Sequence, residues 1–483
     1  MPDPTPYDNP LITRYAGPEM VALWGPQRKH STWRRLWLAL AEAQHELGMT
    51  ADDGQTPRIT TEQLTELRAH LDDIDFVRAA EHEKRLRHDV MAHIHTLGEV
   101  APKSRPIIHL GATSCYVTDN ADLLLMREGL GLVRDRLVGV IDALAQFAQR
   151  WRDLPTLGYT HFQPAQLTTV GKRACLWCYD FVLDVHEIEH RVGQLKFRGA
   201  KGATGTQASF LRLFRGDHAK VRELDRLVAR KMGFDEVYPV TGQTYTRKVD
   251  RQVLDVLAGI AESAHKFATD LRLLAHEQEI DEPFEAEQVG SSAMAYKRNP
   301  MRAERICGLA RFLLGLPAMA SQTAAIQWLE RTLDDSAARR LYLPQAFLAA
   351  DAILRLLLNV ASGLTVYSAV ISRHVEERLP EMATENLLMA AVAKGGDRQT
   401  VHDRIRQHTH ASAAELKSGA KDTLVARLQS DPTFAGINIA ASLDPARQVG
   451  RAIEQVDEFL TTIVTPIRQK FSRLLNQTAQ VSV

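Results

Sequence analysis

The chain has 483 residues with 59 basic and 59 acidic side chains, so its formal net charge at pH 7 is zero. This length exceeds one ordinary hydrophobic core and predicts two or three domains. The charge balance argues against bulk electrostatic attraction to nucleic acid or a membrane surface. Four cysteines do not make a disulfide framework for a chain of this length, which favours a reducing compartment.

The N-terminal segment MPDPTPYDNPLITRY has neither the basic start nor the apolar run of a signal peptide. Along the rest of the chain, no uninterrupted apolar stretch approaches the roughly 20 residues that a membrane helix needs. We therefore expect a cytoplasmic protein with no membrane partner.

Apolar residues recur in steps of three and four along two long seams in the middle of the chain. The first seam comprises Leu123, Met126, Leu130, Val133, Leu137, Val140, Leu144, Phe147 and Trp151. The second comprises Val253, Leu257, Ile260, Ala264, Phe267, Leu271 and Leu274. Such spacing predicts long helices packed at shallow angles. Segments 166–196, 301–330 and 341–362 also have helical patterns, whereas β-branched runs are too few for a sheet. The prediction is an all-α fold around a central bundle of five long helices.

Glycine and proline punctuation divides this all-α chain into three helical parts. They are an N-terminal domain at 1–112, the long bundle at 113–364 and a smaller C-terminal domain at 365–483. Seams this apolar exceed what one bundle covers internally, so we expect oligomerisation through the bundle. A non-catalytic coiled-coil scaffold would have the same seams, but it would not need the polar segments that connect them.

Six connecting segments carry polar and charged residues, most of them beside glycine. They are RLRHDVMAHIH with Arg87, His88 and Asp89, HLGATSCYVTDN with Thr113 and Ser114, GYTHFQPAQLTT with His161, VTGQTYTRK with Gln243, GSSAMAYKRNPMRAER with Ser291, Lys297, Asn299, Glu304 and Arg305, and ERTLDDSAARR with Arg331, Ser336 and Arg340. Isolated histidines are usually structural, and a lone serine such as Ser291 is usually a loop residue or an N-cap. The concentration of such residues in six segments favours a catalytic site.

The fifth segment is the most specific. Gly290 and the two serines make a flexible start, and Lys297 and Asn299 supply hydrogen-bond donors just before Pro300. A loop of this kind is suited to order over a dicarboxylate, exclude water and place a hydroxyl at a reacting carbon.

One motif favours a different chemistry. His186-Glu187-Ile188-Glu189-His190 is an HExxH sequence, which places two histidines on one helical face, as in zinc proteases. No third ligand follows in a recognisable context, and the segment continues a charged helix, so a structural role is favoured.

The fifth segment resembles the signature of the fumarase/aspartase superfamily. This resemblance implies a five-helix bundle that assembles as a homotetramer with each active site built by three subunits. It places Ser291 as the catalytic base and Lys297 as a partner of a substrate carboxylate. Ala295 departs from the proline common in this loop, which removes no catalytic atom.

Taken together, the six segments are similar to the eukaryotic form of the adenylosuccinate lyase family, from Arg14-Tyr15 to MATEN at 382–386. The resemblance implies β-elimination of fumarate from adenylosuccinate, giving AMP, and from SAICAR, giving AICAR, in purine biosynthesis. It implies no metal and no organic cofactor. A sister lyase acting on argininosuccinate or aspartate would keep the loop but change the nucleotide-binding residues.

The resemblance also assigns roles to individual positions. It makes His161 the general acid and Ser291 the general base, with Glu304 orienting His161 or a neighbour and His88 helping to bind and orient the substrate. The succinyl carboxylates would be held by Lys297, Asn299, Thr113, Ser114 and Gln243. The phosphate and ribose would be held by Arg14, Tyr15, Arg331, Ser336 and Arg340. The remaining substrate-binding positions are Arg87, Asp89 and Arg305.

Overall fold

The computed structural model describes residues 7–481, which form eighteen α-helices and two small β-pairs. The helices are α1 Pro18–Leu23, α2 Pro26–Glu46, α3 Thr61–Ala69, α4 Phe76–Leu86, α5 Asp89–Val100, α6 Ser114–Arg150, α7 Val170–Gln194, α8 Ala208–Leu213, α9 His218–Lys231, α10 Lys248–His276, α11 Met301–Ala325, α12 Asp334–Gly363, α13 Ser368–Met382, α14 Thr384–Ala393, α15 Arg398–Lys417, α16 Leu424–Ser430, α17 Ala452–Phe459 and α18 Thr465–Lys470. The strands are β1 Pro155–Thr160, β2 Gln163–Thr169, β3 Ile280–Asp281 and β4 Thr365–Val366.

Five long helices, α6, α7, α10, α11 and α12, pack against one another as the central bundle. The longest, α6, has 37 residues and is therefore about 55 Å long at 1.5 Å per residue. Both apolar seams lie along bundle helices, the first on α6 and the second on α10, and their side chains are buried except that of Trp151, the half-buried residue that follows α6. The predicted all-α class and the five-helix bundle are confirmed.

The helix predicted at 166–196 begins later than its periodicity indicated. Residues up to Thr169 belong to an antiparallel hairpin in which Leu157 pairs with Leu167, and the helix starts at Val170. The Thr169 side chain accepts a hydrogen bond from the amide of Lys172 at 3.1 Å and caps the helix N-terminus. Hairpin pairing is decided by the partner strand, so the spacing within one strand did not reveal it.

Helix α12 is long and apolar enough to cross a membrane by length and composition, although no uninterrupted apolar run marks it in the sequence. Within the protein, 78% of its most apolar window is buried, as in the core helix of a globular domain. Asp335 and Arg339 lie buried near its start.

The described residues form two hydrophobic cores. The larger extends from Leu11 through the bundle and also includes residues near the C-terminus such as Val456 and Ile467. The smaller is confined to the segment from Leu387 to Ile439. The last helices therefore pack back on the bundle, and the three-part division at 112 and 364 stays a prediction.

Gly171 allows α7 to start directly against the end of α6. A Cβ atom at this position would lie 2.6 Å from the Cα atom of Arg152 and in collision with the carbonyl oxygen of Ala148. We expect Gly171→Ala to lower the free energy of unfolding by about 1–3 kcal/mol, the usual cost of overpacking. Urea denaturation followed by circular dichroism measures the change.

The matched control is Gly193→Ala on the same helix, where an added Cβ meets no atom within 4 Å. Its free energy of unfolding should stay within about 1 kcal/mol of the wild type. Equal effects of the two substitutions would contradict the role of Gly171 as a packing contact.

Candidate active site

A cavity of about 860 Å³ lies where α2, α5, α6 and α12 approach the segment before α10. Eight of the seventeen predicted site residues line it. They are Arg87, His88, Asp89, Ser114, Gln243, Arg331, Ser336 and Arg340. Another cavity of about 800 Å³, along α2 and α6, has mostly apolar walls and none of the predicted residues. The polar cavity is therefore the candidate site.

One wall is formed where α4 ends and α5 begins. Arg87 closes α4 in a left-handed conformation with φ of 55°, and His88 is the N-cap of α5. The Nδ1 atom of His88 accepts the amide hydrogen of Met91 at 3.3 Å, so the ring carries its proton on Nε2 when it is neutral. This Nε2 atom lies 3.2 Å from the hydroxyl of Ser114, the first residue of α6. The capping interaction thus orients the imidazole toward the cavity.

Arginines from the segment before α12 and from α12 itself form the opposite wall. Arg340 donates to Asp89 at 2.6 Å, and Arg331 donates to Asp335 at 2.6 Å. Burial opposes ionisation of Asp89, but hydrogen bonds from the Val90 amide and from Arg340 keep its pKa below the ordinary value. Both guanidinium groups are thereby held at the cavity by carboxylates.

Beneath these side chains lies a buried network of charges that joins three bundle helices. Arg247 donates to Asp119 of α6 at 3.0 and 3.1 Å, and to Asp335 of α12 at 2.6 Å. Arg339 donates to Asp250 of α10 at 2.7 Å. Burial alone would raise the pKa of Asp119, but the charges of Arg247 and Arg339 hold it below its usual value. The network sets the positions of the cavity's arginines.

Gln243 lies in a tightly packed connection beside this network. Its amide donates to the carbonyl of Glu330 at 3.0 Å, and its side chain donates to the carbonyl of Ala203 at 3.1 Å. A Cβ atom on the preceding Gly242 would lie 2.6 Å from the Glu330 oxygen, so glycine permits this approach. The contact couples the segment before α10 to the segment before α12.

His161 lies away from the cavity, at the exposed tip of the β1–β2 hairpin. The turn consists of His161 and Phe162, whose φ angles are 52° and 56°. Two-residue hairpin turns of this hand usually contain asparagine and glycine, because positive φ strains other residues. Two bulky residues in this conformation carry a backbone strain energy of order 1–3 kcal/mol each. Strain of this kind is concentrated at functional sites.

Ser291, Lys297 and Asn299 lie on the connection between β3 and α11. Glu282 fixes the position of the start of α11, where this connection ends. Its carboxylate accepts hydrogen bonds from the amides of Arg302 and Ala303, each at 2.9 Å. Asn299 donates to the carbonyl of Gly290 at 2.9 Å and closes the loop. The hydroxyl of Ser291 accepts the amide of Met294 at 3.1 Å, and Lys297 is exposed. This loop projects from the bundle and does not line the cavity.

The remaining predicted residues also lie outside the cavity lining. Arg14 is exposed, with its guanidinium carbon 5.9 Å from the ring centroid of Tyr15 in a short π-helical turn. Thr113 is the N-cap residue of α6, next to Ser114. Glu304 is exposed in the first turn of α11, and one buried guanidinium nitrogen of Arg305 has no hydrogen-bond partner among residues 7–481. A single chain therefore brings together only part of the predicted site.

Several cavity residues were missed by sequence reasoning. They are Lys29, Asp119, Asp122, Asp335 and Arg339. Arg339 is buried, with a side chain 7% exposed. The alternation of acidic and basic residues in ERTLDDSAARR was the available signal for Asp335 and Arg339, whereas Lys29 lies on α2 in no recognisable motif.

The HExxH segment gains no support as a metal site. His186 and His190 are exposed on α7. Across residues 7–481, no group of three or more histidine, cysteine, aspartate or glutamate side chains is arranged to hold a metal ion.

The fold and the cavity can now be compared with known proteins. The solved structure of 3-carboxy-cis,cis-muconate lactonizing enzyme from Pseudomonas putida has a TM-score of 0.80 at 22% identity and covers 96% of this chain and 100% of that one. Fumarate lyase from Mesorhizobium sp. BNC1 has a TM-score of 0.79 at 24% identity, covering 95% and 100%. These similarities establish the fold. A family model described as Lyase matches residues 37–315, so the protein is an enzyme of the lyase class.

A second family model, described as Adenylosuccinate lyase C-terminus, matches residues 380–459. Adenylosuccinate lyase of Saccharomyces cerevisiae is 51% identical over 481 residues, covering 99% of this chain and 98% of the relative. The Schistosoma mansoni protein of the same name is 47% identical and covers 99% of both chains. The chain belongs to the adenylosuccinate lyase family.

Removal of Arg247 should destabilise the bundle, because the buried carboxylate of Asp119 would lose two hydrogen bonds from a guanidinium and that of Asp335 would keep only Arg331. We expect Arg247→Met to lower the free energy of unfolding by about 3–5 kcal/mol. The control Arg251→Met, in the first turn of the helix that follows Arg247, removes a half-exposed cation paired with Asp255 and should cost about 0–1 kcal/mol. Urea unfolding of both variants measures the difference, and a loss of under 1 kcal/mol for Arg247→Met would contradict the structural role of the network.

Proposed function

We propose that this protein removes fumarate from adenylosuccinate and leaves AMP. The observation that carries the proposal is the full-length similarity to proteins named adenylosuccinate lyase. The cavity suits such a substrate, because Arg331 and Arg340 offer positive charge to an anionic nucleotide while Ser114 and Gln243 offer uncharged hydrogen-bond partners.

We propose the same elimination for SAICAR, which would yield AICAR and fumarate. Both substrates carry a succinyl group on nitrogen, so a site that recognises this group and a phosphate serves both reactions. The two steps belong to purine synthesis, for which we expect a cytoplasmic location.

In the proposed mechanism, Ser291 removes the proton from the carbon beside a carboxylate, and the electron pair left there expels the nitrogen. The carbanion that exists before the C–N bond breaks is held as an aci-carboxylate by Lys297, Asn299 and neighbouring donors. His161 protonates the leaving nitrogen, because imidazole side chains are the commonest general acids in enzymes. Closure of the loop would desolvate Ser291 and strengthen it as a base.

We propose that the site is completed by assembly of a homotetramer, with His161, Ser291 and the cavity supplied by different subunits. The exposed positions of the hairpin and of the loop support this proposal, because neither lines the cavity of its own chain. The bundle also exposes large apolar side chains that another copy would cover. They are Leu176, Tyr179 and Leu183 on α7, and Phe312 and Met319 on α11.

A spectrophotometric assay with adenylosuccinate tests the reaction and the base together. The wild type should form AMP, and Ser291→Ala should lower kcat by about two to four orders of magnitude because the proton acceptor is lost. Ser292→Ala is the matched control, since it removes an adjacent exposed hydroxyl, and it should keep nearly full activity. An inactive wild type would contradict the proposed reaction, and full activity of Ser291→Ala would contradict its role as the base.

Mixing two inactive variants tests whether subunits share sites. His161→Ala and Ser291→Ala should each be inactive as homo-oligomers. When they are unfolded together and refolded, part of the activity should return, because some sites then receive His161 and Ser291 from intact copies. Light scattering should give the mass of a tetramer for the wild type. A monomer, or no recovery of activity in mixed tetramers of verified composition, would contradict the shared-site model.

A further inference from the structure

Lys29 is a cation on the wall of the cavity that no sequence motif marked. It lies on α2, half-buried, and lines the cavity with Arg331 and Arg340. Its ammonium nitrogen is 5.1 Å from the ring centroid of Trp33. Within residues 7–481 this nitrogen makes neither a hydrogen bond nor an ion pair shorter than 4 Å with a carboxylate.

Its neighbours at the cavity are arranged differently. Arg331 is paired with Asp335, Arg339 with Asp250, and Arg340 with Asp89. Their guanidinium groups have carboxylate partners supplied by the fold, whereas the ammonium of Lys29 has no such partner among the residues that the structure describes. Arg87 also lines the cavity, but it is exposed and hydrated by solvent.

The charges around Lys29 come from four other helices. Asp122 of α6, Asp89 of α5 and Glu83 of α4 favour its charged form, and Arg340 of α12 opposes it. Burial outweighs these carboxylates and lowers the pKa of Lys29, while burial also raises the pKa of Asp122. A partly desolvated ammonium without a direct partner is costly, and an anion entering the cavity would remove that cost.

We propose that Lys29 binds the phosphate group of the nucleotide substrate, beside Arg340. This inference rests on the proposed function. The phosphate is favoured over the succinyl carboxylates because Arg340, which the family resemblance assigns to the phosphate, is close enough to Lys29 for its charge to lower the pKa of Lys29. A phosphate monoester carries close to two negative charges at neutral pH and therefore suits a pair of cations. Lys29 is thus a further binding residue that distinguishes nucleotides from nucleosides.

The test compares AMP with adenosine, which differ only in the phosphate. Dissociation constants of both are measured by calorimetric titration of the full-length wild type, Lys29→Met and Lys29→Arg. Lys29→Met should raise the Kd of AMP about tenfold or more, as expected for loss of a charge-assisted hydrogen bond. The Kd of adenosine should be unchanged, and Lys29→Arg should bind AMP nearly as tightly as the wild type. Melting temperatures of the variants establish that they are folded.

Lys103→Met serves as the control, because Lys103 is exposed and paired with Glu62 away from the cavity. An unchanged Kd of AMP in Lys29→Met, or equal weakening of AMP and adenosine, would overturn the proposal. A raised KM for adenylosuccinate with unchanged AMP binding would place Lys29 at the succinyl group and would also overturn it. A wild type that binds AMP without converting adenylosuccinate would contradict the proposed function alone.

Discussion

Three bundle helices meet through charges that are sealed from solvent, and the cavity depends on this meeting point. Arg247 is shared between Asp119 of α6 and Asp335 of α12, and Asp335 in turn holds Arg331 at the cavity wall. Such a network contributes little to stability compared with apolar packing, but breaking it is costly, so it specifies one arrangement of helices. The long apolar seams alone would allow the helices to slide along one another, whereas paired charges at one level do not.

The network also links the stability of the fold to the charged side chains that line the cavity. The arginines at the cavity repel each other when no anion is present, and the fold compensates this repulsion with carboxylates beneath and beside them. Arg340 lies against Asp89, which follows the N-cap histidine His88 at the start of α5. The proposed contact of Arg340 with substrate and the capping of α5 by His88 therefore involve neighbouring residues.

The predicted catalytic residues are divided between a rigid cavity and two projecting segments. The hairpin presents His161 in a strained turn. The loop that carries Ser291 is fixed at the start of α11 by Glu282. Exposed segments of this kind are often strained or flexible. They contribute to a site when the surface of another subunit packs against them. The proposed assembly supplies that surface, which is why one chain contains all the residue types but not one complete site.

Periodicity along the chain was sufficient to predict the all-α class and the long bundle helices, because an apolar stripe on a helix depends only on spacing within that helix. Four of the six polar segments also supplied eight residues that line one cavity. Tertiary structure decided three other features, namely the strand at Gln163–Thr169, the burial of Arg339 and the presence of Lys29 at the cavity. Each depends on a partner outside its own segment, namely the preceding strand of the hairpin, a buried carboxylate or a helix from the other end of the chain. Local spacing carries no information about such partners, and only folding brings them together.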